Sequence, residues 1–469
     1  LIGVLIEDGR FEEAFKYAEQ AKARALVDML ATKKQFSKKQ EVLSSQNNTL
    51  LEELEELELL YGARDNQSDL QKYASTRSLA INKTERIVQS SPELASLVMV
   101  RPTNVAEIQQ LLPPNETLVE YYGDEINLFV FVVSHDDVKG IKLKTHEIGK
   151  KIHDFRKNIM IDLEIDRGVA VNNRADIRLD QVVKCGQALY NDLIRPLDDI
   201  VTTKNITIVP HGELHYLPFN ALHTGKEYLI DRYSIRLLPS ANVMTFLKDS
   251  HKNNAGSLLA FGNPDLGDPI FDLPGAQKEA MAIAESIPAA KVLLRKQATE
   301  TAAKRYGGLF RSLHFATHGT FDAEVPLTSG LLLADDDEND GILTVGELYE
   351  MRLNADMVTL SACETGLGKV ANGDDVVGFS RGFLYAGASA IVSSLWKVDD
   401  QSTAILMKQF YKLLQEMDNR SALRSAQLKI KNDYNLHPYY WAPFQITGAV
   451  QHRVLENDRV SYPDKMQSP

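Results

Sequence analysis

Two stretches of the sequence end in side chains capable of covalent chemistry. Leu313-His314-Phe315-Ala316-Thr317 runs into His318-Gly319, and Val358-Thr359-Leu360-Ser361-Ala362 runs into Cys363-Glu364-Thr365-Gly366. Each begins as an apolar run of strand length and ends in a polar turn containing glycine. If the two strands are neighbours in a parallel sheet, His318 and Cys363 emerge at one edge. An imidazole beside a thiol keeps part of it as the nucleophilic thiolate and can later protonate a leaving amine. The amides of Gly319 and Cys363 would then hold a developing oxyanion, and Gly319 would let a substrate backbone approach. Taken singly, each residue has a structural reading as well: a strand-end cysteine as a small buried hydrophobe, a histidine as a hydrogen-bonded core residue.

Neighbouring motifs point away from other chemistries. His314 and His318 cannot share a metal ion, because four residues along a strand separate side chains by ~13 Å; His314 is expected to be a buried partner within its strand. The acidic run Asp335 to Gly341 has Asp340 and Gly346 where an EF-hand loop needs glycine and glutamate, so it reads as a hairpin between Leu331 to Ala334 and Ile342 to Val345. Gly378-Phe379-Ser380-Arg381-Gly382 fits the serine-hydrolase pattern G-x-S-x-G. The residues before it read as a loop entering a helix, whereas a nucleophile elbow requires a strand. No metal and no cofactor is expected.

Composition sets the frame in which these residues must be positioned. With 469 residues, 44% apolar and 25% charged, the chain has the make-up of a globular protein, and its length suggests about three domains. Fifty-two basic against 64 acidic side chains leave a net charge of −12, which repels phosphate backbones and argues against nucleic acid as a partner. The longest aliphatic runs, Leu1 to Ile6 and Leu128 to Val133, fall far short of the ~20 residues that span a bilayer, so no membrane helix is expected. Cys185 and Cys363 are the only cysteines; they support neither a disulfide framework nor a thiolate zinc cluster, and a reducing cytoplasm is the expected location. The chain opens at Leu1 without a signal pattern and reads as part of a longer protein.

Periodicity divides the chain. Phe11, Ala14, Ala18, Ala21, Ala25 and Met29 draw one helical stripe, with Gly9 at a turn before it, so 1–36 reads as a helical hairpin. Leu43, Leu50, Leu54, Leu57 and Tyr61, interleaved with glutamates, predict a helix whose neighbour is Leu70 to Val98, making 37–100 a second helical segment. After Pro102 the texture changes. Thr117 to Tyr122 and Asn127 to Val133 read as a β-hairpin. Further strands are predicted at Ile206 to Val209, Leu258 to Phe261, Leu313 to Thr317, Met357 to Ser361 and Ala390 to Leu395, alternating with helices such as Ala276 to Ile287. That alternation implies an α/β fold with parallel central strands and functional groups at their C-terminal ends.

Several of these residues fall into an ordered set of motifs. Ala316-Thr317-His318-Gly319, Leu360 to Gly368, Gly378 to Gly387 and Ser394-Leu395-Trp396-Lys397-Val398-Asp399-Asp400 are followed by Phe410-Tyr411, Ala422-Leu423-Arg424, His437 to Phe444 and Gly448. The succession resembles the CHAT family of caspase-like cysteine peptidases, relatives of separase. The resemblance implies Cys363 as nucleophile and His318 as general acid and base of a cysteine endopeptidase. It also implies a caspase-like sheet flanked by helices, built from a non-catalytic half (101–250) and a catalytic half (251–455), with a tail over 456–469. The all-helical N-terminal region would precede it, its first hairpin resembling a tetratricopeptide unit.

Ile206 to Val209 leading into Pro210 to Phe219 resembles the marker of the non-catalytic half, with His211 where the family commonly carries an acidic residue; the turn is expected to make a structural contact to the catalytic half. By the same resemblance a strand through Ser394, Leu395 and Trp396 would pair with the substrate backbone, and Trp396 would wall a pocket. A carboxylate from Asp399 or Asp400 at its floor would select Arg or Lys before the scissile bond. The competing reading makes either aspartate the cap of a helix near Ser402. The resemblance implies a bacterial, cytoplasmic peptidase, acting on a protein substrate and latent until a partner protein engages the N-terminal helices. The alternative is a catalytically silent scaffold acting through those helices.

Overall fold

The computed structural model describes residues 1–22, 105–123, 127–160, 172–245, 247, 256–320, 328–361, 363–364, 374–396 and 399–451. The helices expected over 37–100, residues 23–36 of the first hairpin and the 456–469 tail lie outside the described residues.

The chain begins as a hairpin of Ile2–Glu7 and a helix over 11–22, turned at Gly9, whose φ of +72° glycine adopts without strain. The alanine stripe does what its small side chains allow. Ala14, Phe15 and Ala18 are buried against Leu118, Phe131 and Val133 of the neighbouring sheet, and Phe15 meets Phe131 edge-on at 5.6 Å. Two carboxyls and one ammonium are buried at the same interface: Lys22 Nζ lies 3.1 Å from Glu120 Oε1, and Glu19 accepts from the Asn242 amide at 2.8 Å.

Among the described residues fifteen strands make two sheets. The larger contains β1 (Glu116–Gly123), β2 (Leu128–Val133), β3 (Val138–Leu143), β4 (Asn205–Val209), β5 (Ser234–Leu237), β6 (Gly256–Pro264), β7 (Ala290–Arg295) and β8 (Phe310–Ala316). The smaller holds β9 (His318–Thr320), β10 (Gly330–Leu332), β11 (Ile342–Thr344) and β13 (Cys363–Glu364). β12 (Met357–Leu360), β14 (Ala390–Ser394) and β15 (Phe444–Gly448) complete the larger sheet.

Its eleven strands run in the order β3-β2-β1-β4-β5-β15-β14-β12-β8-β6-β7. The expected apolar runs are its central strands, parallel from β14 through β12, β8 and β6 to β7, and again across β1, β4 and β5. Strand sense reverses between β14 and β15. The C-terminal ends of β8, β12 and β14 therefore share an edge with the starts of β4, β5 and β15.

The two halves are thus one sheet, joined where β15 pairs with β5 at Thr447 and Leu237. One apolar layer also runs through both, from Val119 and Leu189 to Met357, Leu406 and Ile446. A second layer on Leu313, Phe315, Val358 and Phe383 belongs to the second half. Beside the seam the buried Glu116 carboxylate takes Arg236 at 2.7 Å and Arg420 at 2.9 Å, and accepts from the Thr207 hydroxyl. Burial pushes this carboxyl up, but the two guanidiniums outweigh it and hold it below its ordinary range.

Candidate active site

The two central strands that end in reactive residues both break and continue past the edge of the large sheet. β8 stops at Ala316, the Thr317 hydroxyl donates to the Leu332 carbonyl, and the chain resumes as β9. β12 stops at Leu360, the Ser361 amide donates to the Phe315 carbonyl at 2.9 Å, and β13 follows. β9 and β13 then pair in parallel, with Cys363 opposite His318 and Glu364 opposite Gly319. Paired strands lie about 4.8 Å apart, so the backbone brings the two expected catalytic positions side by side.

His318 is buried, and its Nε2 lies 2.9 Å from the Phe271 carbonyl. A carbonyl only accepts, so Nε2 carries a proton, and whenever the ring holds a single proton its lone pair is on Nδ1. Nδ1 is buried and has no hydrogen-bond partner among the described residues. The Phe271 ring stands edge-on to the imidazole, at 6.0 Å and 81°. This is the arrangement of a base held in one tautomer with its accepting nitrogen uncommitted.

Sequence reasoning missed Phe271, because a backbone carbonyl leaves no mark in residue type. The one local sign is Asp268-Pro269, which starts the 3-10 turn Pro269–Phe271; there the Asp268 carboxylate accepts from the Ile270 amide at 3.0 Å.

His314 is the buried strand partner its position suggests. Its Nδ1 is 3.2 Å from the Tyr411 hydroxyl, which donates to Thr359 Oγ1 at 3.0 Å, and its Nε2 is 3.0 Å from Glu279 Oε1. The Glu279 contact is close but poorly aligned for a hydrogen bond. Burial pushes the Tyr411 hydroxyl up, keeping it protonated as a donor.

The expected peptide-docking strand needs correcting. β14 is paired on both sides, with β12 and with β15, and Ser394 faces Phe444 across the second ladder. No edge is left along Ala390–Ser393 for a substrate backbone, and among the described residues Ser394 keeps a ladder partner on the β15 side alone. Beyond it the Leu395 amide donates to the Pro443 carbonyl at 2.8 Å, and the Leu395 carbonyl accepts from Arg156 at 2.9 Å. Trp396 is 1% exposed and donates to the Tyr439 carbonyl at 3.2 Å. It is core, not a pocket wall, because the indole N–H finds its partner inside the protein.

Asp399 caps the helix Asp400–Leu413, accepting from the Ser402 amide at 2.8 Å. Asp400 is exposed, its carboxylate lying over Gly275 at the start of the helix Pro274–Ala284, just past the Phe271 turn.

The remaining motifs resolve structurally. Ser380 is buried in the middle of the helix Asp374–Tyr385, not on an elbow. The acidic run is a β10–β11 hairpin loop, tied to the helix Glu300–Tyr306 where Asp336 accepts from Thr301 at 2.8 Å and Lys304 meets Asn339 at 2.8 Å. His211 packs on Tyr122 at 4.9 Å between ring centroids. Its turn touches the second half through Arg156, which donates to Tyr216 at 2.8 Å and to Leu395.

Compared with known families, residues 183–449 match the CHAT domain, more than half of the sequence. The chain belongs to the CHAT domain family. Relatives named Tetratricopeptide repeat protein 28, from Homo sapiens and Mus musculus, are each 24% identical over 322 residues, covering 56% of this chain. The chain spans only 13% of their length. Two crystal structures of the Saccharomyces cerevisiae separase-securin complex match the fold, each with a TM-score of 0.50 and 10% identity. They cover 86% and 82% of this chain, which spans 35% and 34% of theirs. The CHAT domain here thus has a separase-like, caspase-type fold, as its motifs imply.

Proposed function

We propose that the protein is a cysteine endopeptidase in which Cys363 is the nucleophile and His318 the general acid and base. His318 Nδ1 takes the thiol proton, and Cys363 Sγ bonds to the scissile carbonyl carbon. As the C–N bond breaks, His318 returns that proton to the leaving amine. The thioester is then hydrolysed by a water that His318 deprotonates, releasing the acid and the free thiol. The amides of Gly319 and Cys363 are assigned to the oxyanion. The observation that carries this reading is His318 itself: held through Nε2 by Phe271, unpartnered at Nδ1, and opposite Cys363 in the ladder.

For the residue before the scissile bond we favour Arg or Lys, recognised by Asp399 or Asp400, of which Asp400 is the more exposed. Activation is assigned to a partner protein engaging the N-terminal helices, whose hairpin rests on the same sheet through Phe15 and Lys22. The test is cleavage of a randomised peptide library by the wild type and Cys363→Ala, sequencing the cut ends. Cuts lost in the variant and following basic residues support the assignment. Undiminished cleavage by Cys363→Ala overturns it.

A second reading, a silent scaffold, draws on the relatives named as tetratricopeptide repeat proteins. A peptide-based thiol probe separates the two, since a scaffold leaves Cys363 unlabelled even when the partner is bound.

A further inference from the structure

The turn that presents the Phe271 carbonyl to His318 has little to hold it in place by burial. Ile270 and Phe271 are 79% and 45% exposed, so few apolar contacts fix the carbonyl that fixes the imidazole. What holds the turn is polar and comes from the edge of the sheet. Arg295, the last residue of β7, donates from Nη1 to Asp272 at 2.5 Å and lies with Nη2 3.3 Å from Asp265, gripping the loop on both sides of the turn. Asn263, near the end of the neighbouring strand β6, accepts from the Leu273 amide at 2.7 Å. Both residues have left-handed backbones, φ +49° for Arg295 and +48° for Asn263, a conformation that costs energy outside glycine and persists where the surroundings enforce it. The strands register irregularly there, between Gly262 and Pro264.

We infer that Arg295 is a positioning residue for His318: by clamping Asp265 and Asp272 it holds the Phe271 carbonyl against Nε2, and so keeps the lone pair on Nδ1. Arg295 touches neither the imidazole nor a substrate; it acts through the loop. The fork geometry suits the task, since one guanidinium reaches two carboxylates from different directions and an ammonium is a single point. The inference concerns the state of His318 and rests on the proposed function only for its catalytic consequence.

The test is ¹⁵N NMR of the histidine-labelled 469-residue chain, with the His318 signals among the 11 histidines identified by their loss in His318→Gln. In the wild type the ring should be the Nε2–H tautomer. Arg295→Met and Asp272→Asn should give a mixture of tautomers in protein whose circular dichroism matches the wild type, and Arg295→Lys should restore part of the difference. An unchanged tautomer in folded Arg295→Met overturns the inference. Where cleavage is measurable, kcat should fall about tenfold with KM unchanged, the mark of a misplaced group and not of lost binding; a fall confined to KM also counts against it. A tautomer shift in protein that cleaves nothing supports the positioning role and counts against the peptidase reading alone.

Discussion

Arg156 meets Leu395 across the two halves of the sheet, donating from Nη2 to its carbonyl at 2.9 Å while Nη1 holds the Tyr216 carbonyl at 2.8 Å. The helix Ile148–Met160, far from the candidate dyad in sequence, thereby fixes the segment that follows β14. The guanidinium also lies over the Tyr216 ring, 5.3 Å from its centroid. Arg156→Met keeps the apolar stem but leaves two buried carbonyls without their charged donor. We expect a loss of about 2–4 kcal/mol in urea unfolding, and a loss below about 1 kcal/mol would mean that water replaces the guanidinium.

Labelling should separate the two thiols. Burial pushes the Cys185 thiol up, so little of it is thiolate at neutral pH. A peptidyl chloromethyl ketone is expected to mark Cys363 and spare Cys185 by peptide mapping, and to lose its target in His318→Gln. Labelling of Cys185 at an equal rate would show that His318 gives Cys363 no advantage.

Glu116 predicts acid sensitivity. Its carboxyl is held low by Arg236 and Arg420 against the opposing effect of burial, so its stabilisation is present above the ordinary carboxylate range and is lost as pH falls through the depressed folded value. Glu116→Leu leaves both guanidiniums buried without their partner and should cost about 3–5 kcal/mol. It should also flatten the acid limb of the Tm profile; a limb as steep as in the wild type would assign acid sensitivity to other groups.

Glu120 predicts the reverse. Burial, reinforced by the nearby Glu19 carboxyl, raises it well above the usual carboxylate range despite Lys22. The folded protein therefore keeps a proton that the unfolded chain releases, and this contribution is complete at acid pH and fades as pH rises through the raised folded value. Glu120→Gln, a mimic of the protonated carboxyl, should remove part of the alkaline decline in Tm. An unchanged decline would mean that Glu120 is ionised when folded.

Specificity should divide the two neighbouring aspartates. Asp399→Asn keeps a capping oxygen and should leave the cleavage preference as it is. Asp400→Asn removes the exposed charge beside Gly275 and is expected to cut kcat/KM for Arg and Lys substrates at least tenfold over neutral ones. Equal preference in Asp400→Asn and wild type would place basic recognition elsewhere.

Legibility in the sequence tracked how local the determining physics is. The strand runs at Ile206, Leu258, Leu313, Met357 and Ala390 were readable because each is apolar on both faces, which only a covered parallel strand needs. The reactive ends of β8 and β12 could be picked out as residue types. Their pairing could not, since β9 has three residues and β13 two, too short for periodicity to register. The burial of Trp396 is not legible in the sequence because its environment is set from a distance: Arg156 is 239 positions from Leu395, and Tyr439 is 43 from the indole. Phe271 and Arg295 act through a backbone atom and a loop, and neither leaves a pattern of residue types.

The order of strands in space has a consequence for the order of events in synthesis. β15, which lies between β5 and β14, is the last of the eleven strands to be made, whereas β5 is complete more than 200 residues earlier. As a nascent chain leaves the ribosome, β5 and β14 each present an unpaired flank until Phe444–Gly448 emerges and zips between them. Truncation before Phe444 would leave two open strand edges, so such fragments are expected to aggregate instead of yielding a separable first half.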